Sequence, residues 1–372
     1  MKQLGLYIHI PFCVRKCNYC DFYSVEINHE SIDKYISNTL NALEYWKNKI
    51  DNNIIVDTIY FGGGTPSVLS DSQILILLEG IYNNFKIANN PEITIEVNPK
   101  SVTKLNLKSL KHNGINRISM GLQSSIDEEL IILGRLHTKY DAQKAIDYII
   151  KSGIFNYSLD VMTGIPLQTI ESLNKTIDFC INNKAPHIST YMLKIEKNTP
   201  FYKNKDKYPF ASEDTQADYY EFISKKLSDN GYRHYEISNF CKNDLISRHN
   251  TKYWLLEDYL GIGPSAHSMI NGKRFYYPRS LKEFTPDNII FESEGKTAYE
   301  YIMLSLRTDF GFKYDNYFKE HNKIPSKRFM NTIKILSEAG FIICNQDGFK
   351  LTDKGFLLSN SIISILLDEE CL

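Results

Sequence analysis

The chain has 372 residues, enough for one large domain with a well-filled core and a smaller second one. Its 43 Lys and Arg stand against 44 Asp and Glu, a formal net charge of −1, which argues against nucleic acid or an anionic membrane as an obligate partner. Seven cysteines, three clustered and four scattered (Cys180, Cys241, Cys344, Cys371), do not form a secreted disulfide framework. Met1 leads straight into a strand rather than a signal peptide, and no apolar run is long enough to span a bilayer. A cytoplasmic protein is the expectation.

Leu6 to Ile10 is apolar and β-branched and reads as a buried strand that Pro11 stops. Cys13, Cys17 and Cys20 follow as C-x3-C-x2-C, close enough for a short loop to wrap one inorganic centre. Three thiolates are one short of the four that close a cubane iron–sulfur cluster, which would leave one iron open. A structural zinc site also takes four ligands, and beyond the triplet only His9 stands near. That histidine reads equally well as packed core. From spacing alone the order is an iron–sulfur centre, then zinc, then free thiols. Phe12, Tyr19, Phe22 and Tyr23 could shield a cluster, and Arg15 and Lys16 suit its negative charge.

Ser31 to Ile50 has apolar residues at helical spacing. Ile54 to Phe61 is strand-like and runs into Gly62-Gly63-Gly64-Thr65-Pro66, a turn where backbone can approach a ligand closely; Ser70 and Gln73 then form a capping box. Four more strands, Ile93–Val97, Arg117–Leu122, Tyr157–Met162 and His187–Leu193, alternate with helix-length segments, which predicts a parallel sheet with right-handed crossovers. In such folds chemistry gathers at the C-terminal ends of strands. Glu96, Gln123, Arg135 and Asp160 stand at or just after those ends. Glu96 could bind the hydroxyls of a ribose or simply pair with a neighbour; spacing leaves both open.

Glu213 to Asn230 is helical and leads through Gly231–Asn239 to His249-Asn-Thr-Lys-Tyr253-Trp254. A lone histidine in a polar segment is more often hydrogen-bonded than ligating, but imidazole is a common axial ligand of haem, and aromatic faces suit a flat macrocycle. Beyond Ala298 come helices at Tyr299–Leu306 and Lys327–Ala339 and strands Phe341–Cys344 and Phe349–Thr352 about Asp347-Gly348; a last helix follows at about Lys354–Leu367. A hairpin behind helices resembles a winged-helix unit. The neutral composition argues against DNA as its ligand.

The cysteine triplet after a first strand resembles the radical S-adenosylmethionine (SAM) superfamily. The string YIHIPFCVRKCNYCDF is most similar to one branch, the oxygen-independent coproporphyrinogen III oxidases and their haem-chaperone relatives, and the resemblance runs from Leu6 nearly to the end. It implies an α/β fold: a partial (β/α)6 TIM-like barrel over residues 1–235, a connecting segment over 236–294, and a smaller α+β, winged-helix-like domain over 295–372. It implies a [4Fe–4S] cluster on Cys13, Cys17 and Cys20. It implies SAM held by Tyr7, Gly63, Gly64, Thr65, Glu96, Gln123, Arg135 and Asp160. HNTKYW is similar to the HNxxYW motif of the haem chaperones, which implies haem bound at His249 and passed to haem-requiring apoproteins such as respiratory enzymes.

Phe22 stands where the oxidases carry a further cysteine, and only Met1 to Leu6 precede Tyr7 where the oxidases have a long extension. Both favour the chaperone over the alternatives, decarboxylation of coproporphyrinogen propionates or radical modification of haem. Transient membrane contact and a homodimer are left open.

Overall fold

Strand β1 (Gln3–Ile10) is buried on both faces along nearly its whole length, as a near-continuous apolar run in a parallel sheet must be. A computed structural model describes residues 2–370, so Cys371 lies outside the described residues. Beside β1 run β2 (Ile55–Gly63), β3 (Ile87–Val97), β4 (Arg117–Gln123), β5 (Asn156–Thr163) and β6 (His187–Met192), each parallel to the one before. These are the six strands expected from the sequence, and they stand in the sheet in chain order.

The helices between them bury one face each. In α1 (His29–Lys47) the buried set is Ile32, Tyr35, Ile36, Thr39, Ala42, Leu43 and Trp46, one stripe at helical spacing. Next, α2 (Asp71–Asn84) opens with the expected capping box, Gln73 N–H to Ser70 Oγ at 3.3 Å and Ser70 N–H to Gln73 Oε1 at 3.0 Å. Then α3 (Lys139–Ser152) ends at Gly153, whose φ of 82° takes the left-handed cap. After α4 (Ile170–Asn182) and α5 (Glu213–Asp229) the chain departs from simple alternation.

The stretch 236–294, expected as a connector, is woven into the main sheet. Strand β7 (Arg233–Glu236) pairs antiparallel with β8 (Asn239–Cys241), which in turn adds antiparallel to β6 at one side. Helix α6 (Arg248–Trp254) then crosses to the other side, where β9 (Tyr259–Ile262) pairs parallel with β1. Further out lie β10 (His267–Ile270), β11 (Lys273–Tyr276) and β12 (Ile290–Glu294), each antiparallel to its neighbour. Among the described residues the sheet has twelve strands in the order β12-β11-β10-β9-β1-β2-β3-β4-β5-β6-β8-β7.

A second hydrophobic core belongs to the C-terminal part. It comprises α7 (Ala298–Ser305), α8 (Tyr314–His321), α9 (Lys327–Glu338), α10 (Asp353–Leu357) and α11 (Ser359–Glu370) around Phe312, Tyr317, Phe329 and Phe349. The single last helix expected from the sequence is two, broken at Leu358; Asn360 just beyond accepts from Arg307 Nη2 at 3.0 Å. A three-stranded sheet, β13 (Phe312–Lys313), β14 (Ile342–Asn345) and β15 (Gly348–Leu351), forms the hairpin wing and its neighbour. Arg233 clamps Asp309 with two bonds (2.7 and 3.0 Å) and His234 meets Asp353 at 2.8 Å, tying this part to β7.

Gly348 sits so close to β13 that an added Cβ would lie 1.9 Å from the Phe312 carbonyl oxygen. Gly348→Ala is therefore expected to destabilise the C-terminal part by on the order of 1–3 kcal/mol, through forced backbone shifts. Limited proteolysis should show cleavage after residue 295 accelerated and the barrel left resistant. Unchanged digestion would show that β13 can give way freely.

Candidate functional site

The three cysteines lie on the loop leaving β1. A two-residue parallel pairing of Phe12–Cys13 with Val25–Glu26 closes the loop at its base. Asn18 pins its far side: its N–H donates to Leu133 O at 3.0 Å and its Nδ2 to Ile132 O at 2.8 Å. Among the described residues no three His, Cys, Asp or Glu side chains converge tightly enough to hold a single metal ion. Burial, then the neighbouring Cys17 and Cys13, push the Cys20 thiol up to about 11. His9 offers no ligand: Nδ1 meets Tyr7 Oη at 3.1 Å and Nε2 meets Tyr23 O at 3.0 Å. Phe12 is core and Phe22 is 65% exposed, so neither behaves as a simple shield.

The Gly62–Pro66 turn packs backbone to backbone against this loop. Gly64 N–H donates to Ile10 O at 2.8 Å and Thr65 N–H to Phe12 O at 2.9 Å. A Cβ on Gly64 would stand 2.7 Å from Phe12 O, and Gly63, at φ 110°, has the His9 ring within 2.6 Å of where its Cβ would be. Only glycine fits either place.

Two groups of side chains stand over the strand ends. In the first, Thr65 Oγ1 lies 3.5 Å from Cys13 Sγ and accepts from Asn98 Nδ2 at 3.1 Å; Arg135 donates to Cys17 Sγ at 3.6 Å, to Gly121 O at 2.9 Å and to Asn98 Oδ1. Gln123 joins them because a register shift between Gly121 and Gln123 re-aims its side chain over Gly121, where a Cβ would meet Gln123 Nε2 and Arg135 Nη2. Arg135 Nε is buried without a hydrogen-bond partner, and the Tyr19 hydroxyl shares the field of this guanidinium. A cleft lined by Cys17, Thr65, Asn98, Lys100, Arg135 and His137 opens here.

In the second group Glu96 accepts from Tyr60 Oη at 2.9 Å and from Gly63 N–H at 3.2 Å. Burial pushes its carboxyl up to about 7, and nearby Asp160 adds to the rise. Burial also raises Asp160, offset by hydroxyls including Ser119 and Ser158, each at 2.9 Å. Tyr7 pairs in register with Tyr60 and shares the field of Glu96. The structure thus brings the eight residues expected for SAM into two adjoining groups beside the triplet. Sequence reasoning missed Asn98, which joins Thr65 to Arg135; its visible signal was only an Asn-Pro after a strand.

His249 lies beneath the second group on α6, 1% exposed. Nδ1 meets Thr58 Oγ1 at 2.8 Å, Nε2 meets Tyr253 Oη at 2.8 Å, and the ring stacks on Tyr60 at 5.2 Å. Burial lowers its pKa to about 3, so the imidazole is neutral. Haem ligation at this residue requires Tyr253 to release Nε2.

Residues 7–180 match the Radical SAM superfamily. The chain is 35% identical over 382 residues to the haem chaperone HemW of Buchnera aphidicola subsp. Acyrthosiphon pisum, with 99% of each chain covered. It is 33% identical over 383 residues to the haem chaperone HemW of Bacillus subtilis, with 98% of this chain and 99% of that one covered. Among solved structures it is similar in fold to coproporphyrinogen III oxidase (HemN) from Escherichia coli, a radical SAM enzyme, with a TM-score of 0.83 at 22% identity over 100% of this chain and 91% of that one.

Glu236, 1% exposed at the end of β7, accepts from Ser238 N–H and Asn239 Nδ2, and burial pushes it up to about 7. An unfolded glutamate ionises near 4.3. Between those values the folded chain holds the extra proton, so stability falls as pH rises through the window. In Glu236→Gln the fall in melting temperature from pH 5 to 7.5 should shrink, by up to roughly 3 kcal/mol of stability. Equal falls in both proteins would mean that Glu236 is ionised in the fold.

Proposed function

The chain belongs to the HemW family of the radical SAM superfamily, and on that premise we propose that it binds haem and delivers it to haem-requiring apoproteins, respiratory enzymes among them. The observation that carries this reading is the likeness to two haem chaperones over essentially the whole chain. Phe22, in place of the oxidases' further cysteine, weighs in the same direction. No helix among the described residues is long and apolar enough to cross a membrane. We place the activity in the cytoplasm, with the C-terminal part as a docking module.

The residues present fit the two cofactors of the superfamily. Cys13, Cys17 and Cys20 would hold a [4Fe–4S] cluster, and the Arg135 guanidinium beside Cys17 would balance its charge. SAM would lie across the two groups of side chains. Gly63, Gly64 and Thr65 offer backbone at close range, and Arg135 Nε offers a free donor to a carboxylate. Glu96 and Asp160 offer acceptors to ribose hydroxyls, and Tyr7 and Gln123 complete the walls. When bound, the cluster supplies an open iron for the amino and carboxylate groups of SAM. The protein's own share is to orient the ligand and hold back water. His249 serves as haem ligand once Tyr253 has moved.

Three measurements test the reading. An anaerobic haemin titration of cluster-reconstituted protein should saturate near one haem per chain and weaken in His249→Ala. Absence of saturation would overturn the haem reading and turn attention to coproporphyrinogen III with SAM and a reductant, read out as released CO2. Glu96→Ala and Asp160→Ala should each weaken SAM by roughly tenfold in calorimetry, the worth of a charge-assisted bond. Unchanged affinity would remove both from the SAM site. Cys17→Ser should abolish the iron content of anaerobically reconstituted protein, and full retention of iron would exclude it as a ligand.

A further inference from the structure

Helix α6 packs into the barrel interior, held by buried carboxylates of the neighbouring strands β2 and β3. Glu92 on β3 accepts the backbone N–H of Arg248 (3.1 Å) and of His249 (3.0 Å). Lys252, whose side chain is 4% exposed, pairs with Asp57 of β2 at 2.9 Å and with Glu257 at 2.7 Å. Gly5 of β1 leaves the room: a Cβ there would stand 3.0 Å from Lys252 Cδ and 3.3 Å from His249 Cε1. The His249 ring therefore packs directly against the β1 backbone, on a helix that Glu92 and Asp57 hold in place.

The same ring supports the pocket above it. Tyr60 lies on His249, and the Tyr60 hydroxyl is the donor that fixes Glu96 Oε1. Tyr7 closes the layer, 6.1 Å from Tyr60 and 6.4 Å from His249. Pulling the imidazole toward an iron atom would free Tyr253, unstack Tyr60 and release Glu96 together.

We propose that His249 is a positioning residue of the SAM pocket, acting through Tyr60 on Glu96, so that ligation of haem by His249 and occupation of the pocket by SAM oppose one another. The second half rests on the haem reading above, and the first only on the SAM site proposed there. Such coupling is reciprocal: each ligand weakens the other by the same factor. A carrier built this way takes up haem with its SAM pocket loosened and regains SAM as haem leaves.

The test is SAM titration calorimetry on cluster-reconstituted protein without haem, over wild type, His249→Ala, Tyr60→Phe and the double variant. Each single variant should bind SAM roughly tenfold more weakly, and the double variant no more weakly than the worse single one, because both act on one contact. Unchanged affinity in His249→Ala, or losses that multiply, would overturn the positioning role. His249→Gln, which can still bond Thr58 and Tyr253, should recover part of the affinity; none recovered at an unchanged melting temperature also counts against it.

The titration is then repeated on haem-loaded wild type, where SAM should bind roughly tenfold more weakly. Equal affinity with and without haem would overturn the opposition. If haemin fails to bind at all, the haem reading falls with it, and the haem-free cycle still decides the positioning role. Tyr253→Phe keeps the ring packing and uncaps Nε2, so it should bind haemin more tightly than wild type. Unchanged or weaker binding would show that His249 is not where haem goes.

Discussion

Two carboxylates, Asp57 and Glu92, reach into the barrel from neighbouring strands with no solvent to receive them. A single short helix bonds both, one with a lysine ammonium and the other with two backbone amides, while the buried Arg117 guanidinium shares the field of Glu92. A buried charge stripped of its partner costs on the order of 3–5 kcal/mol, so the helix is fixed by what it neutralises more than by its own propensity. Its seven residues form too short a helix to be stable alone. The interior of this barrel is therefore organised by charge compensation around α6, while the outer faces of the strands follow ordinary apolar packing.

The site inherits that arrangement. Parallel strands set their C-terminal ends side by side, and in-register partners share a face, so Tyr7 and Tyr60, and likewise Glu96 and Ser119, meet without further contrivance. Deep burial keeps two glutamates and an aspartate reluctant to ionise, and hydroxyls, with the Arg117 guanidinium behind them, temper the aspartate. Near the thiols the balance reverses. There a guanidinium is committed to sulfur and to two oxygens, and one nitrogen is left over. The pocket is acceptor-rich on one side and donor-rich on the other, which suits a ligand carrying hydroxyls at one end and a carboxylate at the other.

Much of this was readable from the chain because the features concerned are local. Six parallel strands announce themselves as short, apolar-rich runs alternating with helix-length segments, the helix at Asp71 by its capping pair, and the thiols by their spacing. What escaped depends on partners distant in sequence. Tyr259–Ile262 is four residues followed by Gly263 and Pro264, which reads as a turn until β1 is seen beside it. Tyr60 looks like one more strand residue, and its hydroxyl matters only because Glu96 comes up alongside. The histidine of HNTKYW was legible as special, yet its burial under Tyr60 was not, since nothing in a polar heptapeptide says that two acidic strands will draw it inside. The break at Leu358 carries no Gly or Pro to mark it.

The position of β1 between β2 and β9 has a consequence for the order of assembly. Its neighbours come from residues 55–63 and 259–262, so the thiol-bearing loop leaves the ribosome early, while the helix and strand that complete its surroundings emerge far later. At ordinary rates of synthesis the interval is on the order of ten to fifty seconds. Throughout it the cysteines are attached to an unfinished sheet, open to oxidation and to stray metal. Insertion of the cluster proposed for these cysteines would thus be best timed to follow chain completion, and conditions that slow translation would cost such a cluster more than the fold.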